Sequence, residues 1–395
     1  MWKMVKLGDV CKITNGSTPL RKEKRYWAEG NIPWFTIDDL RVQGKNITHT
    51  KQNVTQAAVD DKKVKLVSVN SVLLCCTASI GAAAIARVEM ATNQQFNALT
   101  PKSAALNSDY LYFVATTLTQ TLLSVSGSTT INFVSMSKLK EISIPLPPLA
   151  EQERIVAKLD AAFAEIDESI RAVKNKIKEI SSLYENAVTA EFSNIADCLE
   201  RKLSDVCEKI TDGTHQTPKY FDEGYIFLSS KNVTSRKIDW DNVKYIDEAQ
   251  HIQMHKRIAP RIGDVLLAKN GTTGVAAIVD RDIVFDIYVS LAWLRSKGDV
   301  LPEYLLEFVN SKMAKEQFTS RTKGIGVPNL HLKEIREVII RFPEEKEKQE
   351  LIVKKLKNID DACSSYRQIN ERKLLNLAYL KSAILSQELQ SSEAA

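Results

Sequence analysis

Few residues in this chain have a spacing suited to metal or covalent chemistry. His251 and His255, in "HIQMH", stand four apart, so a helix would carry both imidazoles on one face, as many metal sites require. No cysteine or acidic residue is read as a third ligand beside them, so a packed or solvated pair is expected and no metal. The six cysteines form no C-x-x-C pair, and Cys75 and Cys76 lie in the apolar run "VLLCCTA", where cysteine acts as a small buried hydrophobe. The sequence contains no G-x-G-x-x-G, no G-x-x-x-x-G-K-[ST], no H-E-x-x-H, no G-x-S-x-G and no [DN]-P-P-[FYW]. No catalytic residue and no cofactor of its own are therefore expected.

What the chain does offer is a set of polar, mostly glycine-containing turns. In the first half these are "TNGSTP" (Asn15, Ser17, Thr18), "TIDD" (Thr36, Asp38), "CTASIG" (Thr77, Ser79), "NQQFN" (Gln94, Gln95) and "SGSTTINF" (Thr129, Thr130, Asn132). In the second half they are "TDGTHQTP" (Thr214, His215), "SSKN" (Ser230, Lys231, Asn232), "AKNGTTG" (Lys269, Asn270, Thr272, Thr273) and "TKGIGVPN" (Lys323, Asn329). Amides, hydroxyls and cations are the groups that meet base edges and phosphates. The same residue types also populate turns for backbone reasons alone. The aromatic clusters "RYW", "IPWF" and "KYFDEGYIF" are read as core rather than as stacking platforms.

Bulk properties narrow the class. With 395 residues, 44% hydrophobic and 26% charged, the chain has the composition of an ordinary globular protein with room for two or three domains. No apolar run approaches membrane-spanning length and the start lacks a signal-peptide pattern, so a cytoplasmic protein is expected. The net charge is +5, and residues 1–150 alone hold 17 Lys and Arg against 10 Asp and Glu, whereas residues 151–197 hold 6 against 10. Basicity concentrated in the globular segments is compatible with a nucleic-acid partner.

The turns are positioned by a pattern written twice. "KLGDVCKITNG" (residues 6–16) returns as "KLSDVCEKITDG" (202–213), "VLL" at 72–74 returns at 265–267, and "LKEI" at 139–142 returns at 332–335. "QERIVAKL" (152–159) likewise returns as "QELIVKKL" (349–356). This near-constant offset marks a tandem duplication of a globular unit followed by a long helix. In the first helix Val156, Leu159, Phe163, Ile166, Ile170, Val173, Ile177, Ile180, Tyr184 and Ala187 keep a 3-4 spacing, the seam of a coiled coil. The second reads Ile352, Leu356, Ile359, Cys363, Tyr366, Asn370, Lys373, Leu377, Leu380 and Ile384. There, either Asn370 and Lys373 interrupt the seam or the seam shifts toward Ile369 and Leu374. Two helices with narrow stripes from one chain are expected to pair antiparallel, with the globular units at opposite ends about a pseudo-twofold axis. About 35 residues at 1.5 Å each make a rod of roughly 50 Å.

Two divergent halves, each opening like "KLGDVCKITNG" and closing in "LKEISIPLPPLAEQERIVAKL", resemble the DNA-specificity subunit of type I restriction-modification systems. The second junction, "RFPEEKEKQELI", departs from the double-proline form. The resemblance implies an α+β fold with target recognition domains at 1–150 and 198–343 and spacer helix regions at 151–197 and 344–395. Each domain would read one half of a bipartite, asymmetric site in double-stranded DNA. The helices, through Gln152, Ile155, Leu159, Ile166, Ile170, Ile177, Gln349, Ile352, Leu356, Ile359, Asn370 and Leu377, would set the spacer and dock methyltransferase subunits, two in number. Restriction subunits would assemble around them. S-adenosylmethionine, and ATP with Mg for restriction, would belong to those partners.

The rival readings are a coiled-coil scaffold whose units bind protein or glycan, and an enzyme with an unfamiliar site. The first predicts no salt-dependent DNA affinity, the second activity from the purified chain alone. A remnant that assembles but no longer reads DNA is a third. The ruler reading predicts that four residues inserted into one helix, about 6 Å of added length, change the preferred gap between half-sites. Site selection on the variant should return both half-sites unaltered, and an unchanged gap counts against the ruler.

Overall fold

The computed structural model describes residues 2–126, 133–321 and 329–390. The chain forms two compact units, Met1–Ala172 with Lys373–Ala395, and Val173–Arg372, so each long helix contributes to both.

In the first unit, strand Cys11–Asn15 pairs with Phe96–Pro101, which pairs with Val72–Cys75, then Ala83–Ala86 and Asn46–Ile47. The inward face of this sheet (Leu74, Ile85, Leu99) packs on helix Ser108–Thr117 through Tyr110, Leu111 and Val114. A second sheet orders Asn53–Val54, Ile32–Phe35, Met90–Thr92 and Leu66–Val67, with Ile32–Phe35 and Met90–Thr92 parallel. The second unit repeats the plan. Cys207–Asp212, Leu291–Ser296, Val265–Ala268 and Ala276–Ile278 form one sheet, and Lys244–Ile246, Tyr225–Leu228 and Phe285–Ile287 the other, its last two strands parallel. Each unit is closed by a short antiparallel pair, Lys3–Lys6 with Ser143–Leu146 and Cys198–Lys202 with Ile339–Pro343. The α+β architecture and the duplication are thus both present.

The long helices, Leu149–Ser193 and Lys346–Gln390, have 45 residues each. In the first unit Arg154 and Lys158 meet Glu388 at 3.2 and 2.6 Å, and Asp167 meets Lys381 at 2.8 Å. In the second unit Ser181 meets Arg367 and Glu191 meets Lys355. Within each unit the two helices therefore run antiparallel. The seam read from the first helix is buried or half-buried throughout. In the second, Asn370 stays half-buried while Lys373 and Ile369 are exposed and Leu374 is half-buried. The seam thus keeps one polar member and steps four residues past it, a combination of both expected alternatives.

Helix residues also complete the domain cores. Ile155, Leu159 and Leu389 belong to the first unit's core, and Val188, Phe192 and Leu356 to the second's. Phe192 sits edge-on to Tyr304 and Phe308, at 5.2 and 5.5 Å between centroids. Burying such residues contributes about 2 kcal/mol each, which ties helix to domain. It also corrects an expectation, because Ile155, Leu159 and Leu356 are fully buried in their own units and cannot meet a partner chain.

Gln152 and Gln349 require the same correction. Gln152, fully buried, accepts from the Asn107 backbone N–H and donates to the carbonyls of Ala105 and Pro147, each at 2.8 Å. Gln349 accepts from Leu301 N–H and donates to Asp299 and Pro343 carbonyls at 2.8–2.9 Å. Both amides cross-link the helix foot, the preceding proline carbonyl and the N-terminus of the domain's main helix. Gln152→Leu or Gln349→Leu leaves three backbone groups unsatisfied, so each should cost on the order of 3 kcal/mol in urea denaturation of the full chain. A loss below about 0.5 kcal/mol, the range of ordinary surface changes, would contradict this role.

Candidate nucleic-acid interface

In both units the parallel strand pair ends side by side, and the polar turns leave from those ends. In the first unit Thr36 follows Phe35 and the 93–95 segment follows Thr92, with Asn93 N–H bonded to the Phe35 carbonyl at 3.1 Å. The turn at 14–19 lies against them, through Gly16 N–H to Phe96 O at 3.0 Å and Ser17 N–H to Thr92 O at 2.9 Å. A Cβ on Gly16 would fall 2.0 Å from the Asn93 carbonyl, so only glycine allows this approach. Its counterpart Gly213 is equally constrained, with a Cβ 1.9 Å from the Ile287 carbonyl.

The structure brings most first-half candidates together. Asn15 donates to Asn97 at 3.3 Å, Ser17 to the Lys63 carbonyl at 2.6 Å, and Thr18 to Gln94. Gln95 is held by Asn93 at 3.0 Å, and its carbonyl accepts from Cys76 N–H, which places Thr77 beside it. Thr77 Oγ1 is buried without a partner, whereas Ser79 is exposed. Thr36 is spent on a capping box with Asp39 that starts helix Ile37–Gln43, and Asp38 on an exposed pair with Arg41 at 2.9 Å. Thr129, Thr130 and Asn132 lie outside the described residues.

In the second unit Thr214 bridges Tyr288, Ser230 N–H donates to Ser290 Oγ at 2.9 Å, and Ser230 Oγ to Asn270 at 3.2 Å. Asn329 is exposed and sits next to Leu330, whose N–H binds the Lys269 carbonyl at 2.9 Å. Thr272 and Thr273 donate to the carbonyls of Val233 and Lys269 at 3.1 and 3.3 Å. Lys231 is exposed. Lys323 lies outside the described residues.

Two candidates of the second unit are committed to the scaffold, as Thr36 is in the first. Asn232 is 6% exposed, and its amide accepts from Ser229 while donating to the Asp239 and Asn242 carbonyls. Lys269 is 7% exposed and paired with buried Asp212. Asn232 has no donor left for a base edge, and Lys269 is too buried to reach one.

Sequence reasoning missed Asp212, which also faces Arg257 and His215, both at 3.3 Å. It stands where the first half has Asn15, and only the charge difference between the halves could have signalled it. Missed too was Asp286. This buried strand residue faces His251 at 2.7 Å and His255 at 3.4 Å, so the expectation of no acidic ligand beside that pair is corrected. Burial raises the Asp286 carboxyl above its usual range, against the pull of both histidines. A third is Arg21, whose guanidinium lies 4.1 and 4.7 Å from the Trp27 and Trp34 rings. Cys75 and Cys76 are buried as expected, and burial pushes the Cys76 thiol up to about 11.

Two copies of one α+β domain, each carried on an antiparallel helix pair, define a tandem-duplicated two-domain chain. The chain belongs to the family described as type I restriction modification DNA specificity domain, which matches residues 1–179 and 197–374. It is 35% identical over 161 residues to the MjaIX specificity subunit of Methanocaldococcus jannaschii, a match covering 40% of this chain and 37% of that protein. It is 32% identical to the Escherichia coli EcoprrI specificity subunit over 39% of this chain and 40% of that one. The MjaVIII specificity subunit matches over 95% of this chain and 91% of its own length at 22% identity. In fold, the chain superposes with a TM-score of 0.80 (21% identity, 99% and 98% coverage) on a chain from a structural study of type I R-M complex assembly. The HsdS subunit from Thermoanaerobacter tengcongensis gives 0.57 (20% identity, 99% and 97% coverage).

Lys269→Ala would remove the buried cation beside Asp212 and leave its carboxylate only the longer contacts to Arg257 and His215, both at 3.3 Å. It should destabilise the chain by about 3 kcal/mol, whereas Lys231→Ala should leave stability unchanged. Chemical denaturation of the two variants distinguishes a scaffold lysine from a free one, and equal stability would contradict the assignment.

Proposed function

We propose that the chain is a sequence-specific DNA-binding subunit of a type I restriction-modification complex, working in the cytoplasm, in which each domain reads one half of a bipartite, asymmetric site. The observation that carries this reading is the paired set of polar turns, which leave matched strand ends in both units but bear different side chains. Thr18 against His215 and Thr77 against Asn270 keep the backbone plan while changing the donors and acceptors offered to a groove. Two unlike readers on one scaffold fit two unlike half-sites.

The chain supplies recognition, and methyl transfer and cleavage belong to partner subunits that bring S-adenosylmethionine, ATP and Mg. A surface for such partners exists on the helices. In the second unit a groove of about 430 Å³ is lined by Ile180, Leu183, Ile359, Ala362, Cys363 and Tyr366. Leu183 and Tyr366 are 60% and 62% exposed there. Apolar area left open on a helix pair is the kind that a second chain covers. Ile170, Ile177, Ile352, Ile359 and Leu377, half-buried in the helices, serve spacing rather than docking, with Ile359 alone opening onto the groove. Ile166, buried, belongs with them.

The test is selection of bound duplexes from a random pool by the chain co-expressed with its methyltransferase subunit. The expected outcome is two short conserved blocks separated by a fixed unspecified gap. A complex that assembles but enriches nothing would overturn the reading.

A further inference from the structure

The geometry points to a divalent transition-metal site in the second unit, formed by His251, His255 and Asp286. Helix Glu248–His255 places the two imidazoles one turn apart, and strand Phe285–Ile287 presents the carboxylate beneath them. One donor atom from each residue lies within 4.8 Å of the other two. His255 Nδ1 lies 3.4 Å from one Asp286 oxygen, close to the edge of about 3.3 Å that a tetrahedron of Zn–N and Zn–O bonds requires. His251 Nδ1 is hydrogen-bonded to the other at 2.7 Å, a contact that an ion would open. Asp286 is 2% exposed, and the His251 ring is stacked on Tyr225 at 3.8 Å and 10°. Two of the three donors are therefore held before any ion arrives.

The fold does not need these groups. Strand registers align Ala91 with Asp286, and the helix caps Thr55 and Asp247 align Val59 with His251. In the first unit that place is an apolar cluster of Trp34, Val54, Ala58, Val64 and Ala91, with Val59 packed against it. The same strand pair and helix thus pack without charge in one copy, while the other buries a carboxylate against two imidazoles, a costly exchange unless something binds there. Two imidazoles and one carboxylate suit Zn²⁺, leaving one coordination position. Asp286 also lines a cleft of about 290 Å³ with Thr214, His215 and Arg257, and His255 is half-exposed beside it in the fold, leaving that position to solvent. Arg257 is turned to Asp212 at 3.3 Å, so it does not neutralise the Asp286 carboxylate. A bound ion would cross-link the helix to the strand beside the 211–218 turn.

The experiment is calorimetric titration of EDTA-stripped full-length chain with Zn²⁺, paralleled by Co²⁺ and its visible absorption. One equivalent should bind, Co²⁺ should give the intense bands of a four-coordinate site, and Zn²⁺ should raise the Tm. Asp286→Asn, nearly isosteric, and His255→Gln, at a half-exposed position, should each weaken binding by roughly 100-fold or more. His49→Gln should leave it intact. Absence of stoichiometric uptake overturns the proposal, as does uptake undiminished in Asp286→Asn and His255→Gln proteins with wild-type circular dichroism. Neither result bears on DNA selection, which is measured separately.

Discussion

A buried primary amide at the foot of each long helix fixes how a domain is joined to its helix. Gln152 and Gln349 each satisfy an N–H and two carbonyls that would otherwise be orphaned where a strand gives way, at a proline, to a helix. Glutamine alone combines the reach, the acceptor and the two donors for that pattern. Around it the junction is reinforced alike in both copies. Tyr110 and Tyr304 donate to the carbonyls of Pro145 and Arg341 at 3.0 and 2.8 Å. In the first unit Lys45 adds ion pairs to Asp109 and to Asp160 of the helix. A domain held this way presents its turns in a fixed pose on its own helix pair, as a reader of two half-sites requires.

Where the backbone must come close, the copies agree, and the side chains beside those points differ. Gly16 and Gly213 occupy the same approach and admit no Cβ. Cys11 and Cys207, buried at the same strand starts, both have thiols pushed up to about 12 by burial. Next to these constants stand Asn15 and Asp212, and beyond them the apolar cluster of one half and the His–Asp cluster of the other. A duplicated scaffold lets packing hold one set of positions while the other is free to change recognition.

Much of this plan was legible in the chain. The offset repeats disclosed two copies, and the 3-4 seam of the first helix is the buried stripe because helical period and coiled-coil packing depend only on local spacing. Among the described residues, polar segments do fall at matched strand ends in the two units. Which of their side chains are free was not legible, because it depends on contacts between distant segments. Nothing near Asn232 announces the carbonyls of Asp239 and Asn242, and nothing near Lys269 announces Asp212, 57 residues earlier. Gln152 and Gln349 were placed among the residues that set the spacer and dock partners for the same reason, since apart from Pro147 and Pro343 their hydrogen-bond partners lie 45 to 50 residues away.

Whether each unit reads its own half-site independently is decided by site selection with one unit altered. The chain carrying His215→Ala, Ser230→Ala and Asn270→Ala changes groups only on the second unit's turns. The account predicts that one sequence block is degraded while the other, and the gap, stay base for base as in the wild type. Degradation of both blocks together, or of neither, would contradict it.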